Sequence, residues 1–280
     1  MQDEAIAARP LLVLRPTTGW RALDLRELWT YRELLMIFAW RDLKVRYRQT
    51  FLGAAWVIGQ PLISMLIFTL LFNRVAKIAG IPGIPYPIFV LSGLLIWNFF
   101  SNAVAKAAAS LIGQGFLISK VYFPRLVIPL SGIAVDLTDL AVAGVLLAGL
   151  MVWYGVVPAA TAILLPVILL IAIALAVGVG LWLAALNVEY RDLRILIPFV
   201  LQIAMYATPV VYPLAALPEK FRLFVRLNPM AGVVEGFRAA LFGTPLPVVE
   251  LVTAAVIAFV LVISGLFYFR RMERQFADVL

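Results

Sequence analysis

The sequence contains no cysteine and no histidine, and only 14% of its 280 residues are charged. Without cysteine there is no disulfide, no thiol nucleophile and no thiolate metal site. Without histidine the chain lacks the commonest general base and transition-metal ligand, so histidine triads and H-E-x-x-H sites are excluded. A soluble domain carries about 25% charged and roughly 45–50% apolar residues. Here apolar residues reach 64% and the mean hydropathy is +1.02. One aqueous core could not hide so many apolar side chains, so the chain reads as an integral membrane protein. At about 20 apolar residues per crossing, its length suits one bundle of six spans with little left for a soluble domain.

Two further absences narrow the function. The sequence has no G-x-x-x-x-G-K-[ST] phosphate loop, so it cannot by itself bind ATP in that manner. Residues 1–15 carry Asp3, Glu4, Arg9 and Arg15 without an adequate apolar core, and do not read as a signal peptide. The net charge of +8 does not imply a nucleic-acid partner. The basic residues sit in short loops beside apolar spans, where anionic lipid headgroups and topology account for them.

What is present is organised around Ala39 to Pro61. Arg41, Lys44, Arg46 and Arg48 interleave with Trp40 and Tyr47, and from Phe51 the chain is uncharged until Arg74. A basic, aromatic segment running into an apolar span is how a chain enters a bilayer from its cytoplasmic side. Residues 1–22 form a tail, and 23–50 read as an amphipathic helix in the interface, with Leu28, Tyr31, Leu35 and Phe38 on its apolar side. A cytosolic partner-binding helix is the alternative. Residues 51–270 form a single transmembrane domain with spans at about 51–72, 88–112, 126–154, 159–186, 195–212 and 248–269, followed by a tail at 271–280. Pro198, Pro209 and Pro213 predict a bent or broken fifth span. With both termini inside, 17 of the 23 Lys and Arg fall on the cytoplasmic side. An eight-span arrangement with 214–246 folded inward remains open.

Several polar residues interrupt the apolar spans. Asp136 and Asp139 share a face of the third span, at a depth where ionisable groups are costly. Pairing with another helix is one reading of these intramembrane carboxylates, and a proton pathway the other. Asn98, Asn102 and Lys106 recur every four residues on the second span and turn to a helix interface or a wet pathway. Trp97, Phe100, Tyr206 and Tyr212, with Asn98 and Asn102, are candidates for stacking on and hydrogen-bonding to sugars; ordinary packing aromatics are the alternative. Ala172, Ala176, Gly180 and Ala184 make a small-residue stripe for close packing. Asn228-Pro229 opens a short helix that should stop at Gly243, with Glu235 and Arg238 placed to pair. It is too short to cross, so it should be re-entrant or lie at the outer surface.

Four stretches, ELLMIFAWRDLKVRYRQTFLGAAWVIGQPL, KVYFPR, NVEYRDLR and NPMAGVVEGFR, occur in an order that resembles the permease subunit of ABC-2 type polysaccharide exporters. These are the exporters of O-antigen, capsule and teichoic acid. The resemblance implies an all-α membrane protein of the ABC-2 exporter fold, with about six transmembrane helices, an interfacial helix and a short outer-side re-entrant helix region. It implies a homodimer joined by two copies of a separate ATPase subunit, which would hold the ATP and magnesium. This chain itself would need no cofactor and have no catalytic or metal site. The cargo would be an undecaprenyl-diphosphate-linked polysaccharide, O-antigen foremost, moved out across the bacterial inner membrane.

Carried over by position, Lys120, Tyr122, Phe123, Pro124 and Arg125 match the cytoplasmic coupling helix, and Arg191 and Asp192 the second cytoplasmic connection. Arg41, Arg46 and Tyr47 match the interfacial helix near the approach of the lipid diphosphate. Asn228, Pro229, Glu235 and Arg238 match the outer gate. Competing readings are an ABC-2 permease for a drug or non-glycan lipid, a proton-coupled secondary transporter, and a membrane-bound transferase.

Overall fold

The structure is a computed structural model that describes residues 25–48, 53–77, 80–115, 120, 123–190, 192–273 and 276. The expected tail at 1–22 lies outside these residues, as do Tyr122 and Arg191. The described residues are helical, without strands. Two helices, α1 (Leu25–Thr30) and α2 (Arg32–Arg48), precede α3 (Gly53–Phe68), which widens into a π-helical segment at Thr69–Val75. Next come α4 (Tyr86–Ala109), α5 (Val127–Trp153), α6 (Leu165–Glu189) and α7 (Leu193–Ala207). The chain closes with α8 (Glu219–Leu227), α9 (Pro229–Phe242) and α10 (Val248–Met272).

Five stretches are long and apolar enough to cross a membrane: 56–75, 86–109, 127–153, 160–189 and 248–272. They match five of the six expected spans within a few residues. The fifth expected span, 195–212, is broken as its prolines predict, and its regular helix ends five residues earlier than expected. It is the 15-residue α7, which passes through Pro198 and ends at Ala207. Thr208 turns extended (φ −104°, ψ 141°) because it precedes Pro209, whose ring disfavours the helical conformation one residue earlier.

The core forms around α4. It packs on α5 and α6, and α6 in turn packs along α10. The small-residue stripe sits where the helices approach most closely: Ala172, Ala176, Gly180 and Ala184 are all buried. A methyl group on Gly180 would lie 2.8 Å from Ala107 Cβ of α4. A second apolar cluster gathers at one end of the bundle, where Phe123, Leu126, Leu181, Phe269 and Phe276 meet Phe38 of α2. Leu28, Tyr31 and Leu35 pack against it from α1–α2. Trp29, Met36, Ile37 and Trp40 remain exposed.

The short helix α9 is built as its sequence foretells. Asn228 Oδ1 accepts the Met230 N–H at 3.0 Å, Pro229 occupies the first helical position, and Gly243 ends the helix with φ +72°. Its residues are almost all buried against α4, α6 and α10. Of the two expected placements, insertion into the bundle is the one found.

Candidate functional site

Two polar assemblies interrupt the apolar bundle, one at each end of α4. The first is centred on Arg238 of α9, whose side chain is fully buried. Between α7 and α8 the chain is irregular, so carbonyls at 209–211 have no helical partner, and Pro209 and Pro213 bring no N–H of their own. Arg238 supplies the donors. Its guanidinium donates to Pro209 O at 2.6 Å and to Val210 O, and reaches across to Phe89 O of α4 at 3.0 Å and Ser92 Oγ at 3.4 Å. It also lies over the Phe89 ring at 3.7 Å, and Glu235 sits one turn away at 3.7 Å to balance the charge. Tyr86 Oη donates to Val211 O at 2.5 Å, and Asn228 Nδ2 to Thr208 Oγ1 at 2.9 Å.

The fork geometry of arginine matters here, since one planar group serves several fixed acceptors that a lysine ammonium could not reach together. Gly93 makes the room. A methyl there would collide with the guanidinium and lie 2.5 Å from Val210 O. The four expected gate residues are therefore together: Asn228 and Pro229 start α9, and Glu235 and Arg238 pair within it. Tyr86, Ser92 and Gly93 complete the assembly and were not anticipated, because nothing local distinguishes a serine or glycine on an apolar span from a packing residue.

The second assembly joins α2, α4 and α5. Arg46 of α2 lies 2.5 Å from Asp139 and 3.5 Å from Asp136, and Lys106 of α4 also pairs with Asp136. Asp136 is almost completely buried, about 14 Å along α5 at 1.5 Å per residue. Isolated, such a charge would be prohibitive; two cations balance the two carboxylates. Asn98, Asn102 and Gln60 line a cleft of about 50 Å³ beside them. The polar stripe of the second span thus lines this cleft, with Lys106 on Asp136 and Asn102 exposed. The arrangement has the character of the pairing reading of Asp136 and Asp139, with the partners now identified.

Other site candidates are distributed differently. Arg46 is held by the two carboxylates, and exposed Arg41 pairs with Asp42 at 2.8 Å. The Tyr47 side chain lies outside the described part of the structure. Trp97 and Phe100 are buried in the core 5.7 Å apart, which corrects their placement as open sugar-stacking surfaces. The α4 helix that carries them packs on α3, α5, α6, α7 and α9, and a hydropathy pattern does not separate lipid-facing from protein-facing aromatics. Tyr206 is exposed on α7, and Tyr212 Oη donates to its carbonyl at 2.8 Å. Phe123 and Pro124 are also buried, with the Phe123 ring 5.8 Å from Phe38 of α2. Within this chain they pack inward, and Phe123 ties the segment to α2. Arg125 N–H donates to Glu273 Oε1 at 3.3 Å, tying the segment to the end of α10. Lys120 and Asp192 are exposed.

Five membrane-length helices, a short helix packed among them and a basic helix ahead of the first define a multi-pass helical membrane protein. Residues 33–242 match the family of ABC-2 type transporters, and the chain belongs to that family. It is 34% identical over 256 residues to the O-antigen export system permease protein RfbA of Myxococcus xanthus, covering 90% of this chain and 97% of that protein. It is 30% identical over 250 residues to the O-antigen export system permease protein RfbA of Klebsiella pneumoniae, covering 89% and 95%. The polysialic acid transport protein KpsM of Escherichia coli is 26% identical over 205 residues, covering 71% and 78%.

Two predictions test the assemblies. Arg238→Gln is expected to cost about 3 kcal/mol or more, since it strips donors from buried carbonyls. Thermal unfolding in detergent checks this, and Arg238→Lys should not restore the wild-type melting temperature. For the other assembly, a double-mutant cycle of Arg46→Gln and Asp139→Asn should show a coupling of about 0.5–3 kcal/mol. Strictly additive losses would mean that α2 is not held by this pair.

Proposed function

We propose that this chain is the channel-forming membrane subunit of an ATP-driven exporter that moves a lipid-linked polysaccharide out across the inner membrane. O-antigen linked to undecaprenyl diphosphate is the foremost cargo. The observation that carries this reading is the near end-to-end similarity to permeases named for O-antigen export, which takes in the basic helix, the bundle and the inserted α9. Membership of the ABC-2 family implies a separate ABC ATPase as partner.

Two features support a homodimer with its channel between the copies. On α3 and the π-helical segment after it the side chains of Trp56, Ile63, Leu66 and Leu70 are exposed, and α7 exposes Ile195, Phe199, Ile203 and Tyr206. Both helices rest on α4 with few buried residues, Pro61 and Met65 on α3 and Ile197 and Leu201 on α7. Such thinly packed spans are what a second copy would cover. In this reading two ATPase copies dock on the cytoplasmic face, where both termini lie, and ATP and magnesium are held there. The chain supplies docking and a path rather than catalytic groups, and a lone cavity-facing carboxylate pair neutralised by Arg46 and Lys106 is ill suited to proton coupling.

The test is co-purification with the ATPase and the hydrolysis rate of the complex. The combination Lys120→Glu and Asp192→Lys should weaken retention of the ATPase by about fivefold, the scale of one exposed ion pair of about 1 kcal/mol. Phe123→Ala should act differently, lowering the stability of the chain by about 3–5 kcal/mol as a core deletion does. A chain that holds no ATPase would contradict the reading.

A further inference from the structure

A further cleft belongs to neither polar assembly. It is an open groove of about 550 Å³ between α6 and α10, lined by Trp182, Phe259, Ile263, Ser264, Tyr268 and Arg271 among others. Its floor is fixed. Gly178 and Gly265 bring the two helices together, so that a methyl on Gly178 would lie 2.7 Å from Leu261 Cβ and one on Gly265 2.9 Å from Gly178 O. Above that contact Trp182 and Tyr268 stack with ring centres 4.3 Å apart, and Trp182 Nε1 donates to Ser264 Oγ at 3.0 Å. A groove floored by locked aromatics keeps its shape when empty, which lowers the ordering cost of an occupant.

We propose that this groove is a binding site for an anionic phospholipid, with an acyl chain along the aromatic floor and the headgroup phosphate on Arg271. Both walls are helices long and apolar enough to span a membrane, and in this proposal the groove faces the bilayer. From Phe259 to Arg271 it runs about 18 Å along α10 at 1.5 Å per residue. One leaflet of hydrocarbon is about 15 Å deep, half of the usual core. An apolar trough of that length with a cation at one end has the dimensions and polarity of a single lipid. The cation is also available. Arg270 is held by Glu273 at 3.1 Å, whereas exposed Arg271 has no carboxylate partner among the described residues. Basic side chains between helices at the membrane surface are the usual anchor for acidic headgroups. An ordered Trp–Tyr pair beside them suits the interfacial depth, where rings with one polar edge are favoured.

The full chain in detergent, mixed with phosphatidylglycerol or phosphatidylcholine, tests this by native mass spectrometry. Phosphatidylglycerol should be retained in preference, and Arg271→Gln should weaken its retention about fivefold, the factor for one surface cation worth about 1 kcal/mol. Phe259→Ala, a change at an exposed position, should weaken retention of both lipids. A phosphatidylglycerol carrying a photoreactive group on its acyl chain should label residues 259–271 and Trp182. Equal retention of the two lipids, unchanged retention by Arg271→Gln, labelling spread over all apolar helices, or cross-links from this groove to a second copy would each overturn the proposal. The readout involves neither an ATPase nor a glycan, so its outcome is separate from that of the exporter reading.

Discussion

The buried guanidinium of Arg238 is the interaction on which this bundle depends. In an apolar surrounding every backbone carbonyl must find a donor, and irregular chain survives at depth only where protein supplies one. The break after α7 exposes carbonyls at 209–211, and a single arginine with Tyr86 satisfies them while bridging α9 to α4. Insertion of α9 and termination of α7 are therefore one event. Neither would be affordable without the other.

The same helix, α4, carries a second polar junction. Ser92 and Phe89 receive Arg238, and Lys106 reaches Asp136 about 21 Å further along at 1.5 Å per residue. One end of α4 thus holds the inserted helix, and the other holds the basic helix α2 through Asp136, Asp139 and Arg46. A displacement of α2 would be felt at α4 through a charge cluster and not only through soft apolar contact. For a membrane subunit driven from outside by a separate engine, a rigid element joined by directional bonds at both ends is a suitable transmitter of movement.

How much of this could be read in the sequence follows from which forces are local. Five spans and the limits of α9 were legible, because hydropathy, an Asn-Pro start and a glycine stop act within a few residues. The break in the fifth span was legible from its prolines, but three of them left its place open, and the regular helix ends at Ala207, five residues before Tyr212. Asp136 and Asp139 declared themselves by their cost in an apolar span, but Arg46 is 90 positions away, and only the tertiary arrangement names it as their partner. That Trp97, Phe100, Phe123 and Pro124 are buried was not legible, for one reason. Aromatic residues near a span look the same in sequence whether they face lipid, cargo, a partner subunit or their own core.

The central claim is that this chain offers a path to a polysaccharide and that a separate ATPase drives it. The most direct measurement places the chain and its ATPase in vesicles with a polyprenyl-diphosphate-linked glycan accessible on the ATPase side. Protection of the glycan from an added glycosidase is then followed after addition of ATP. The account predicts protection that requires both ATP and the ATPase. Protection by this chain alone, or robust ATP hydrolysis with the glycan left fully exposed, would contradict it.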